Sequence, residues 1–150
     1  MRERITQDVK TAMLAKDKQR TAALRLIAAA IKDRDIQARG EGTETASDTQ
    51  LIDLLAKMVK QRQESARIYE ENGRPELAAT ERAEIAVIEE YLPKQLDEAG
   101  VSAAIADVIA STGASGIKDM GKVMAELKAR HAGQMDFGKA GAAVKAALTG

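Results

Sequence analysis

Nowhere in this 150-residue chain do apolar and polar residues alternate with period two for long enough to make a β-strand. Apolar residues instead recur every three or four positions, the spacing of one helix face. Such a pattern restricts the chain to helix-on-helix packing, so the predicted fold class is all-α. Composition points the same way. The sequence holds 29 alanines but only 2% aromatic residues, Tyr69, Tyr91 and Phe137. Alanine favours helix and lets helices approach closely, while Leu, Ile and Met fill the gaps between them.

The stripes and their stop signals predict seven helices. Ile5, Val9, Ala12 and Met13 mark the first. Asp17 caps a second that runs to about Ala38 with Leu24, Ile27, Ala28 and Ile31 inward. After the polar loop "ARGEGTETAS", Ser47 or Asp48 caps a third with Leu51, Leu55, Met58, Val59, Ala66 and Tyr69. Gly73 suits the left-handed residue after that helix and Pro75 the first turn of the next. The fourth presents Leu77, Ile85, Ile88 and Leu92. Pro93 and a shift in composition predict a boundary, with an N-terminal helical subdomain over 1–92 and a C-terminal three-helix subdomain over 93–150. There Val101, Ile105, Val108 and Ile109 mark a fifth helix. Asp119 is expected to cap a sixth with Met120, Val123, Met124 and Leu127. Asp136 is expected to cap the last, with Phe137, Val144 and Leu148.

Charge is balanced overall but unevenly spread. Residues 1–40 carry +5, residues 41–92 carry −6, and residues 112–150 carry +3. A basic end suits an anionic partner, although such blocks also serve as solvated faces. The chain has no cysteine, which excludes a disulfide scaffold, thiolate metal sites and a cysteine nucleophile. No apolar run nears the roughly 20 residues of a membrane span, and "MRERITQDVK" lacks the apolar core of a signal peptide. These features lead to the expectation of a cytoplasmic protein with no membrane partner.

The stretch "KMVKQRQESARIYEENGRPELAATERAE" concentrates charge around a turn. At 100° per residue, Lys57, Lys60, Glu64, Arg67 and Glu71 fall opposite the apolar stripe, as a solvated face would. Arg62 falls within the stripe, and so do Glu81 and Glu84 on the next helix. A hairpin about Gly73 sets Arg62 level with Glu84 and about a turn from Glu81, which predicts a structural ion-pair cluster of these three. A catalytic carboxylate pair is the rival reading, but it lacks a positioned acid, nucleophile or metal partner. "ExxE" at Glu81 and Glu84 lacks the Glu-x-x-His partners of a di-iron bundle. The single histidine, His131, sits at a helix C-terminus, where its cation favours the dipole. "GASG" lacks the glycine spacing of a nucleophile elbow, and no phosphate-binding glycine loop is present. No catalytic residue, metal or cofactor is expected.

Three segments, "LRLIAAAIKDRDI", "LIDLLAKMVKQRQESARIYEENGRPELAATERAEIAVIEEYLPKQL" and "DMGKVMAELKARHAGQMDFGKAGAAVKAAL", follow one another with the spacing of the YqeY-like (GatB/YqeY) family. The chain resembles that family over nearly its whole length. The resemblance implies two small helical bundles related to the tail of GatB, a component of the glutamine-dependent glutamyl/aspartyl-tRNA amidotransferase. In that enzyme the tail helps hold tRNA. "GKVM", Gly133 and "VKAAL" resemble the end of that tail. The family label is carbon–nitrogen ligase with glutamine as amido-N-donor, yet the tail-like region accounts for the whole chain and brings no active site.

Three functions are therefore in view. The first is an accessory tRNA- or RNA-binding module, with Lys118, Lys122, Lys128, Arg130, Lys139 and Lys145 as candidate phosphate contacts. Lys118 and Lys122 lie opposite the sixth helix's apolar stripe and are expected to be available to a ligand. Few aromatics imply electrostatic, shape-led binding rather than base stacking. The second is a helical protein-interaction module that docks on a larger enzyme or on itself. The third is an amidotransferase in its own right.

Overall fold

A computed structural model describes residues 1–149. They form an all-α protein, and no strand occurs among the described residues. The chain divides into two compact units, Met1–Leu92 and the residues from Pro93 on.

The first unit holds four helices, α1 (Arg2–Leu14), α2 (Lys18–Gly40), α3 (Asp48–Glu71) and α4 (Pro75–Glu89). Helix α2 packs on α1, α3 and α4, and α3 and α4 form a long hairpin. Ile5, Leu24, Ile27, Leu51, Leu55 and Ile88 are almost wholly excluded from water and make the centre of this core. Local signals start each helix. The Asp17 carboxylate accepts from Arg20 N at 3.0 Å. Ser47 makes a reciprocal capping box with Gln50, at 3.2 and 2.9 Å, which satisfies two of the orphan donors at the start of α3. At the hairpin, Gly73 has φ +71°, where a side chain would strain the backbone, and Pro75 opens α4.

Two polar clamps that the periodicity did not announce tie this unit together. Arg2 reaches Asp35 of α2 through two hydrogen bonds, at 2.6 and 3.1 Å, and the carbonyl of Ala46 at 2.8 Å. Asp35 also accepts from the Ala46 amide at 2.8 Å. The hydrogen bond from Arg2, and then that amide, hold the Asp35 carboxyl below its usual range. At the other clamp Tyr91 donates to Asp8, and Arg4 lies 4.6 Å from the ring centroid. Burial, and next the bond to Asp8, push the Tyr91 phenol well above its ordinary value.

The second unit packs α5 (Glu98–Thr112), α6 (Met120–His131) and α7 (Phe137–Thr149) against one another. Val108, Val123, Leu127 and Val144 are fully buried at its centre. Asp97 caps α5 at 2.7 Å from Gly100 N. Gly100 sits close to its neighbours, since a Cβ there would lie 3.3 Å from Leu96 and 3.1 Å from the capping oxygen and would push them back slightly. Asp136 caps α7 at 2.9 Å from Gly138 N.

Several local expectations are corrected. Met13 is half exposed, because α1 ends one residue later and the chain reverses through Lys16 at φ +58°. Ala28 is exposed beside the shallow groove between α1 and α2, and Ala23 is buried in its place. Asp119 makes no side-chain cap for α6. A 3-10 turn, Ile117–Asp119, precedes that helix, and the Asp119 carboxylate turns back to accept from Ser115 N at 3.0 Å. His131 does end α6, as expected, and its ring meets the Gln134 side chain at 2.9 Å.

Candidate nucleic-acid interface

The six candidate cations are all exposed, but they do not form one uniform surface. Lys118 stands in the 3-10 turn rather than on α6 itself. Lys122, Lys128 and Arg130 lie on α6, and Lys139 and Lys145 on α7.

Two of the six are engaged with the end of α5. Lys122 Nζ donates to the Thr112 carbonyl at 3.0 Å. Arg130 donates from Nη2 to Ser111 Oγ at 2.9 Å and from Nε to Glu126 at 2.7 Å. The last carbonyls of a helix carry partial negative charge, so cations there complement the dipole. Lys122 was expected to stand clear of the fold. It is instead part of the α5–α6 contact, and helical phase on α6 alone could not reveal a partner on α5.

The acids nearby are also committed locally. The amide of Ser115 holds the Asp119 carboxyl below its usual range, with Lys118 and Lys122 adding to the effect. Glu126 is bound to Arg130, and Asp136 caps α7. Lys139 borders an open groove of about 660 Å³ whose floor includes Leu96, Val101 and Met135. Asp97 and Asp136 also line that groove, so its polarity is mixed. Lys118, Lys128 and Lys145 are exposed, lie outside that groove and, unlike Lys122 and Arg130, are not bound to the end of α5.

In the first unit, Arg62 Nε donates to Glu84 at 2.9 Å, with the two side chains only 18% and 22% exposed. Glu81 is half-buried on the same helix but is not part of that pair. The other charged residues of that stretch are exposed. Arg67 bonds Glu64 and, at 2.7 Å, Glu71, and Arg82 bonds Glu70 at 2.6 Å. These are pairs one helical turn apart or across the hairpin, and they make a wet face rather than a site. No group of three or more His, Asp or Glu side chains able to hold a metal ion occurs among the described residues.

The family model for Yqey-like protein matches residues 2–148. The chain belongs to the YqeY-like family. Among curated relatives it is similar to "Altered inheritance of mitochondria protein 41, mitochondrial" of Saccharomyces cerevisiae, at 34% identity over 85 residues, 57% of this chain and 44% of that protein. The like-named proteins of Lachancea thermotolerans and Eremothecium gossypii are 34% and 35% identical over 88 residues, 59% of this chain and 46% of each. The chain thus spans less than half the length of these relatives. Their names overturn the expectation of a cytoplasmic protein, since each is called mitochondrial. That expectation rested on the lack of an apolar leader and of cysteine, and neither feature separates the two compartments. Among the described residues no single helix is long and apolar enough to cross a membrane.

Proposed function

We propose that this YqeY-like protein is a non-catalytic accessory module that holds RNA, and tRNA in the first place, by its phosphates. The observation that carries the reading is the local commitment of acids around residues 112–150. Six cations there are exposed, while Asp119, Glu126 and Asp136 are each bound to a neighbouring amide or guanidinium. With six cations against three acids over residues 112–150, phosphates approaching Lys118, Lys128 and Lys145 meet net positive charge. The resemblance to the amidotransferase tail supports the same reading. Carbon–nitrogen ligation, the family label, belongs on this view to partners rather than to this chain.

The test is a titration of labelled tRNA with the whole protein at several salt concentrations. Binding that weakens linearly in log–log form, at about −0.9 per phosphate contact on a duplex, supports the proposal. A folded protein that binds no tRNA even at low salt refutes it. The second reading, protein docking, would then stand on the apolar side chains exposed in the first unit, among them Leu14, Leu26 and Ile36.

A further inference from the structure

Helix α2 is covered by α1, α3 and α4 on its inner sides and is open on its outer side. Ala22, Arg25, Leu26, Ala29, Asp33 and Ile36 are all exposed. They span less than 130° of arc at 100° per residue, so they share one face. Ala22, Leu26, Ala29, Asp33 and Ile36 follow one another at intervals of four, three, four and three residues, the spacing of a seam between two helices. Leu26 is 47% exposed and Ile36 53%, and they share this face with the exposed Ala22 and Ala29, so the apolar groups follow one another along the helix rather than standing singly.

We propose that this face binds the same face of a second copy, with the two α2 helices antiparallel and a two-fold axis at Ala29. About that residue Leu26 falls opposite the exposed Lys32, whose aliphatic stem can cover it, and the other positions are complementary. Arg25 and Asp33 lie four positions on either side of Ala29, so the axis sets each Arg25 opposite the partner's Asp33. Ala22 and Ile36 lie seven positions on either side, so a small residue faces a large one at both ends. Alanine on the axis permits the close approach, 8–10 Å between helix axes, that packed helices adopt. The charges are available for this. Among the described residues Asp33 makes no ion pair, and the side-chain contact of Arg25 is with the sulfur of Met13 at 3.4 Å. An isologous pairing of this kind is closed and stops at two copies.

The contact runs about 21 Å along the helix from residue 22 to residue 36. A contact between two single helices of this length is small for a specific interface, so the dimer should be in equilibrium with the monomer.

Sedimentation across a concentration series and cysteine cross-linking test the pairing together. The chain has no native cysteine, so one introduced thiol reports one position. Ala29→Cys should form a disulfide-linked dimer under added oxidised glutathione much faster than Ala79→Cys, an exposed position on α4. Arg25→Asp should weaken association at least about tenfold, because it sets two like-charge pairs across the seam. The double variant Arg25→Asp/Asp33→Arg should restore it. All these side chains are exposed, and circular dichroism checks that each variant keeps its helices. A wild type that stays monomeric at hundreds of micromolar overturns the proposal. Equal cross-linking at the two cysteine positions, or no rescue by the charge swap, also overturns it.

Discussion

At the scale of single residues, two ion pairs carry testable weight. Arg62 and Glu84 are mostly but not fully excluded from water, so their pairing falls between the exposed and the buried case. Arg62→Ala should cost about 1–3 kcal/mol in thermal or chemical unfolding, more than an exposed pair and less than a fully buried one. A loss no greater than that of the exposed Lys57→Ala would mean the pair is solvated. Asp35 makes a pH prediction. Its folded value is depressed by Arg2 and the Ala46 amide. The stability it supplies is thus complete above the ordinary carboxylate value near ~4 and is lost as pH falls through the lower folded value. Asp35→Asn should make stability less steep in pH on the acid side, and an unchanged acid limb would exclude this role. The two pairs differ in how visible they are in the sequence. Arg62 breaks an apolar stripe and Glu84 breaks the facing one, so helical phase and one turn suffice to bring them together. Arg2 and Asp35 are 33 positions apart on helices whose mutual rotation the pattern leaves open, and Asp8 and Tyr91 are further apart still.

At the scale of helices, starts are legible where a cap acts on its own first turn and illegible where it acts elsewhere. Ser47, Asp17 and Asp136 do the former. Asp119 does the latter, because the 3-10 turn places its carboxylate against Ser115 instead. Ser47→Ala should lower stability by about 0.5–2 kcal/mol, since it removes one side of a capping box. Lys122→Gln should cost roughly 0.3–1 kcal/mol through the end of α5, whereas Lys128→Gln should cost almost nothing. Equal effects in equilibrium unfolding would show that the Lys122 bond to Thr112 contributes no stability. For the candidate site this distinction matters, because a phosphate that recruits Lys122 must compete with a carbonyl already bound.

At the scale of the whole molecule, helical periodicity and the break at Pro93 reveal an all-α chain, but surface charge reveals its partner only in part. Cations can be read from sequence, and so can the cap by Asp136 and the i,i+4 spacing of Glu126 and Arg130, while the hold of the α5 end on Lys122 and Arg130 is visible only once α5 and α6 are packed. The purified protein should release no ammonia from glutamine, and release that disappears in a folded Glu84→Gln variant would contradict the non-catalytic reading. The central claim is phosphate holding by the exposed lysines, and a salt titration of tRNA binding by Lys118→Gln/Lys128→Gln/Lys145→Gln tests it most directly. Each lost contact should flatten the log–log slope by about one, so the triple variant should lose roughly two to three units with its stability unchanged. A triple variant that binds tRNA with the wild-type affinity and slope would contradict the claim.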